Sequence, residues 1–273
     1  MVRTDLPLIT KSRLIADLKK LGVKPADTIM LHASVKAIGW IVGGPDIVIQ
    51  ALLDVLGHDG TLMMYAAWEE DGPYILKELP EEWQKAYFQE CPPFDPTSSR
   101  ANRGWSILTE YLRTWQGASR SGNPEASCVA VGAKAAWLTE NHPLQYGYGP
   151  GSPLAKLCEA KGRVLLLGAP LDTITLMHYA EHLAKVPNKR IVRYKIPLLQ
   201  EGKRVWVDVE EFDTCGNVLP DAHEYFEVIP REFISSGKAC SGKVGNAASY
   251  LFDANELVKF TVQWLERKYG KQS

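Results

Sequence analysis

The five cysteines of this 273-residue chain, Cys91, Cys128, Cys158, Cys215 and Cys240, contain no CxxC pair. Scattered thiols in odd number fit neither a disulfide framework nor a zinc knuckle, and predict reduced cysteines in a cytoplasmic protein. No stretch approaches the roughly 18 apolar residues of a membrane span, and residues 1–7 have no apolar signal-peptide core. Neither sign of charge is in excess: 31 Lys and Arg against 32 Asp and Glu give a net charge of -1, which argues against general nucleic-acid binding. There is no P-loop and no dinucleotide GxGxxG. Gly147, Gly149 and Gly151 have the wrong spacing, so nucleoside-triphosphate and NAD readings fall. Repeats and linker-like shifts in composition are also lacking.

What is there suffices for a large core, with 45% hydrophobic and 23% charged residues. The chain reads as one α/β domain over residues 1–273. Thr10 as N-cap, apolar positions 14, 15, 18 and 21 and Gly22 as stop predict a helix over 10–22. Strands are expected at 28–32, 61–66, 127–131 and 163–167, and helices at 46–56, 105–115, 133–139, 154–160 and 254–269. Residues 191–199 and 204–209 read as a hairpin turning at Glu201-Gly202. The run from Trp68 to Arg103 is long, poorly periodic and rich in Pro, Trp and acid, as a functional loop or small subdomain is.

Chemistry concentrates in His178-Tyr179-Ala180-Glu181-His182, on a helix beyond the buried 163–167 strand. An i,i+3 pair shares a helix face, so His178 and Glu181 can meet as a base and its orienting partner. Two other readings stand beside it. One is a plain helix with partly exposed histidines. The other is the H-x-x-E-H zinc pattern, with His178 and His182 as ligands and Glu181 activating water. Two acidic groups, Glu210-Glu211-Phe212-Asp213 and Glu69-Glu70-Asp71 with its aromatic neighbours Tyr65 and Trp68, are either solvated loops or attractors for a polycation. The run His32-Ala33-Ser34-Val35-Lys36 leaves a strand with small residues, a hydroxyl and a lysine. It has an anion-binding composition, shared by Arg100, Arg103 and Gly104 and by Ser119 to Pro124 and Ser152-Pro153, the last three groups read as preceding helices.

Several long motifs in one order carry a family resemblance. They are Leu31-His32-Ala33-Ser34 with Gly43-Gly44-Pro45, Gly60-Thr61-Leu62, Tyr65-Ala66-Ala67-Trp68-Glu69, Phe94-Asp95-Pro96 and Ser119-Arg120-Ser121-Gly122-Asn123-Pro124. Residues 146–156, 166–173, 178–181 and 210–214 continue it over nearly the whole chain. The sequence resembles the aminoglycoside N3-acetyltransferases, which use acetyl-CoA and are unrelated to the GNAT acetyltransferases. The GNAT pyrophosphate pattern is indeed missing.

The resemblance implies a three-layer α/β/α sandwich with a mixed central sheet and a substrate-capping loop or small subdomain. It also implies that acetyl-CoA and a polycationic antibiotic meet in one cleft, without a metal. His178 is then the general base, oriented by Glu181, and the amine attacks the thioester directly. Glu210, Glu211 and Asp213, with Glu69, Glu70, Asp71, Tyr65 and Trp68, are expected to hold the aminoglycoside. His32, Ser34, Val35 and Lys36 are expected near the pantetheine and thioester, and Ser98, Arg103, Gly104 and Arg120 near the phosphates. Some relatives have His-Pro at Asn123-Pro124, so Asn123 is not expected to be essential. Nucleic-acid and membrane partners are not expected, and the chain is read as a monomer or homodimer. The rivals are a zinc hydrolase, a ping-pong acetyltransferase using Cys215, and a protein of the same fold that binds or acetylates a cellular amine.

Overall fold

The computed structural model describes residues 7–68, 76–216, 218–219 and 225–270. Helix α1 (Lys11–Leu21) starts at Thr10, whose hydroxyl accepts from the Arg13 amide, and stops at Gly22 in the left-handed region. Strand β1 (Thr28–Ala33), the short α2 (Val35–Ile38), α3 (Asp46–Leu56) and β2 (Thr61–Tyr65) follow. The segment expected to be irregular contains an amphipathic helix, α4 (Glu81–Glu90), none of whose residues is buried; its weak apolar face hides it from periodicity. Next come α5 (Ile107–Arg113), β3 (Ser119–Arg120), β4 (Cys128–Gly132), α6 (Ala135–Thr139), α7 (Pro153–Glu159), β5 (Arg163–Leu167) and α8 (Leu176–Leu183). The hairpin is β6 (Ile191–Gln200) and β7 (Lys203–Phe212), and the chain continues through α9 (Tyr225–Ser235), β8 (Cys240–Val244), β9 (Ala247–Asp253) and α10 (Ala254–Tyr269).

Seven strands form one mixed sheet in the order β3-β4-β2-β1-β5-β9-β8. Only its centre is parallel: β1 pairs with β2 and β5 in parallel, and the outer pairings are antiparallel. Side chains alternate across a strand, so each face collects its own core. Met30, Met63, Val164 and Leu166 meet α6 to α10 on one face; Leu31, Leu62, Leu165 and Leu167 meet α1, α2, α3 and α5 on the other. The three layers match the expected architecture. A smaller cluster of Phe94, Ile196, Leu198 and Val209 seats the β6–β7 hairpin.

Parallel pairing brings the carboxyl ends of β1, β2 and β5 to one edge of the sheet, where open α/β folds bind ligands. Gly168 lets the chain leave β5 there. Its φ is +67°, and an added Cβ would lie 2.5 Å from that of Ala37 and 2.9 Å from that of Ala247. One expectation fails locally: Ser119 to Pro124 precedes β4, not a helix, and its first two residues are the edge strand β3.

Candidate active site

α8 is anchored by Leu176, Met177 and Ala180 in the core, which leaves the His178 side of the helix facing the sheet edge. His178 Nδ1 and Glu181 Oε2 are 2.6 Å apart. Glu181 is only 2% exposed, and its second oxygen accepts from the Tyr225 hydroxyl. Burial first, and the neighbouring carboxylate second, hold Tyr225 far above the ordinary phenol range, so it remains a donor. The carboxylate thus has a partner on each oxygen. It selects the Nδ1–H tautomer of His178 and leaves Nε2 as the basic nitrogen. Tyr148 and Phe226 flank the imidazole at centroid distances of 5.0 and 4.7 Å.

Two hollows meet here. One, of about 280 Å³, is walled by His178, Glu181, Asp172 and Cys215 among others. The other, of about 480 Å³, is walled by His32, Ser34, Val35, Lys36 and Gly104. Tyr65, Trp105, Thr173 and Thr175 line both, so the two form one cleft. The Tyr65 hydroxyl donates to the Glu125 carbonyl at 2.8 Å and lies 2.7 Å from that of Tyr148, which fixes the shared wall beside His178. Burial pulls His32 down to about 4, so its ring is neutral at physiological pH.

The cleft gathers His178, Glu181, Tyr65, His32, Ser34, Val35, Lys36 and Gly104. Other expected site residues are engaged elsewhere. The Arg120 guanidinium donates to the Ser99 and Ala66 carbonyls and to the Ser127 hydroxyl, tying the end of β2 to β4 instead of facing the cleft. Arg100 pairs with Glu110 at 2.9 Å, and Ser98 donates to Asp95. Arg103 is exposed, next to Gly104 but outside the lining. Trp68 packs on Phe94 at 5.7 Å in the cluster under the hairpin.

The 210–213 acids are each engaged within the protein itself. Glu210 meets Arg193 at 2.5 Å and accepts from Tyr146, Glu211 lies 3.2 Å from His182, and Asp213 meets Arg190 at 2.6 Å. Glu69, Glu70 and Asp71 lie outside the described residues. Asn123 is structural: its side-chain oxygen accepts from the Glu125 and Ala126 amides and its nitrogen donates to the Pro143 carbonyl.

His182 is separate from His178. It sits between Tyr146 and Phe212, against Glu211, and Gly149 is needed beside it because an added Cβ would lie 2.7 Å from His182 Nδ1. The H-x-x-E-H letters therefore do not converge, and the described residues hold no group of three or more metal-ligating side chains. Asp172, Tyr148, Tyr225 and Trp105 are cleft residues that the sequence reading missed. Asp172 had a local signal, a carboxylate in the turn between the buried strand and the histidine helix. The other three come from distant segments joined only by folding.

An α/β/α sandwich with an oriented histidine at the carboxyl edge of its parallel strands, opening on a second hollow, has the layout of an α/β enzyme cleft. Residues 30–266 match the model of the aminoglycoside 3-N-acetyltransferase family, to which the chain belongs. Aminoglycoside N(3)-acetyltransferase III of Pseudomonas aeruginosa is 51% identical over 268 residues, covering 98% of this chain and 97% of the relative. The solved structure of AAC-IIIb with CoASH superposes with a TM-score of 0.91 at 48% identity, over 98% of this chain and all (100%) of the other. AAC-VIa bound to sisomicin gives 0.90 at 36% identity, over 97% and 100%.

Proposed function

We propose that the protein transfers the acetyl group of acetyl-CoA directly to the 3-amino group of the 2-deoxystreptamine ring of an aminoglycoside, with His178 as general base and Glu181 as its orienting partner. The observation that carries this reading is the His178–Glu181 pair of 2.6 Å placed where two hollows join. One hollow presents neutral and hydroxyl groups with Lys36 at hand, suited to a pantetheine arm with its phosphates. The other presents the acid Asp172, suited to a polycation. Family membership and the CoASH and sisomicin complexes of similar proteins support the pairing of substrates.

An amine near neutral pH is mostly an ammonium without a lone pair, so a base must remove a proton. His178 Nε2 takes it while Glu181 stabilises the resulting imidazolium. The C–N bond forms and the C–S bond breaks; of the two protons the ammonium must lose, one passes through His178 to the departing sulfur and the other leaves to water, giving amide, CoASH and one released proton. A merged cleft lets amine and thioester meet without an acyl carrier on the protein, which favours direct transfer over a Cys215 intermediate. Asp172 has no hydrogen bond or ion pair among the described residues and lines the His178 hollow. With the 210–213 acids internally paired, Asp172 becomes the first anchor for a substrate ammonium.

The test is acetyl-CoA consumption with a panel of aminoglycosides, the acetylated nitrogen being located by NMR. His178→Ala is expected to lower turnover by about 10² or more with the fold intact. Near-wild-type turnover refutes the base assignment. Cys215→Ala is expected to keep its activity, and its loss would favour the acyl-cysteine route.

A further inference from the structure

His32 is the least explained polar side chain of the cleft. It lies near the carboxyl end of β1, in register with Leu166 of β5. Alternation along β1 puts it on the Met30 face, the same face that carries Tyr65 and packs against α8 and Tyr148. It therefore points into the layer that holds His178. Its Nε2 is sealed from water and has no hydrogen-bond partner, and neither ring nitrogen is bonded to any described residue. Buried polar atoms in native proteins are almost always paired, so an orphan in a ligand cleft marks an interaction completed by the ligand.

We propose that His32 is the hydrogen-bond donor to the acetyl carbonyl oxygen of the bound thioester, and stabilises the negative charge gathered there as the amine attacks. This rests on the reading that brings acetyl-CoA into the His32 hollow, and adds to it a catalytic role for one residue. No proton is transferred: the N–H of His32 shortens its contact as charge builds and relaxes when the carbonyl re-forms. The chemistry suits a neutral imidazole. With burial pulling it down to about 4, His32 is a poor base and a constant N–H donor, so it does not compete with His178 for the amine proton. Two hydroxyls of the shared wall are already committed. The Thr173 hydroxyl donates to the Pro170 carbonyl at 2.7 Å, and that of Tyr65 to the Glu125 carbonyl. A donor built into a central strand is also held rigidly, as charge stabilisation requires.

The experiment compares His32→Leu, which removes the donor, with His32→Gln, which returns an N–H near the Nε2 position. Turnover and the slow hydrolysis of acetyl-CoA without an acceptor are measured for each, with CoASH affinity by calorimetry. Removing one such donor lowers turnover by about 10²- to 10³-fold. That loss is expected in both reactions of His32→Leu, with CoASH affinity unchanged because CoASH lacks the carbonyl, and with about tenfold recovered in His32→Gln. Wild-type rates in folded His32→Leu overturn the proposal. So does a loss of CoASH affinity matching the loss of turnover, or a folded His32→Gln no better than His32→Leu. Hydrolysis keeps the two readings apart: a wild-type protein that acetylates no aminoglycoside refutes the substrate, while His32 is judged on hydrolysis alone.

Discussion

Replacing Glu181 by Gln tests the pair at its centre, because it keeps shape and removes charge. The carboxylate accepts from His178 Nδ1 at 2.6 Å on one oxygen and from the Tyr225 hydroxyl on the other. An amide has one acceptor oxygen. If that oxygen faces His178, the Nδ1–H tautomer survives and Tyr225 turns to accept from the amide nitrogen. If the amide nitrogen faces His178, the ring proton must move to Nε2 and the base is lost. In the better orientation the imidazolium still loses its counter-charge. Two unit charges about 4 Å apart interact by about 4 kcal/mol at an effective dielectric constant of 20, an upper bound for this step. Half of that is about 2 kcal/mol, or about a 30-fold loss, and the wrong tautomer adds to it, so kcat is expected to fall by about 10²-fold. KM for both substrates should move little. Stability should not fall in parallel: Glu181 is 2% exposed, and a neutral amide avoids burying a charge. Steady-state kinetics and thermal melts on the same preparation read both quantities. A kcat within threefold of wild type, in a folded variant, refutes the catalytic role of the pair.

Three further predictions use residues other than the His178–Glu181 pair. Asp172→Asn should raise KM for a multiply charged aminoglycoside by about fivefold, the equivalent of about 1 kcal/mol for an exposed ion pair, and leave KM for acetyl-CoA unchanged. Asp213→Asn should instead lower the melting temperature, because Asp213 meets Arg190 at 2.6 Å and accepts from the Gly216 amide at 2.7 Å. The reverse pattern returns substrate binding to the 210–213 group. Acid stability follows from three groups whose folded values lie below their ordinary ones. Burial brings His32 and His142 from 6.5 to about 4, and Glu110, pushed up by burial, is drawn from 4.5 to about 2 by its bonds to Arg113, the Ala101 amide and Arg100. In each case the unfolded chain takes up the proton first, so the stabilisation is complete above the ordinary value and is lost as pH falls through the folded one. The melting temperature should decline below pH 6.5 from the histidines and more steeply below 4.5 from Glu110, which contributes about 3 kcal/mol. Melts from pH 8 to 3 test this, and Glu110→Gln should flatten the steeper part.

The parts of the site that were legible in the sequence are those whose geometry is local. A helix fixes the spacing of His178 and Glu181 whatever surrounds it, and the run from His32 to Lys36, out of β1 and into α2, carries its own direction. Thr10 and Gly22 likewise delimit α1 by capping alone. Elements without a local signal were not legible. β8 is an exposed edge strand with Gly242 and Lys243 at its centre, β3 is two residues long, and α9 carries Pro230 inside it. Charge misled for a related reason. Three carboxylates in four positions look available until β6, the residue before it and α8 bring Arg193, Arg190 and His182 against them, contacts set by cross-strand register and tertiary packing. Arg120 misled in the same way, its guanidinium satisfied by carbonyls far off in sequence. Asp172 shows the converse: a single acid in a turn, unremarkable by composition, has no partner among the described residues because β5 and α8 hold that turn at the rim of the cleft. Residue type therefore names the available chemistry. Which charges remain free to meet a substrate is decided only when the chain has folded and used the rest.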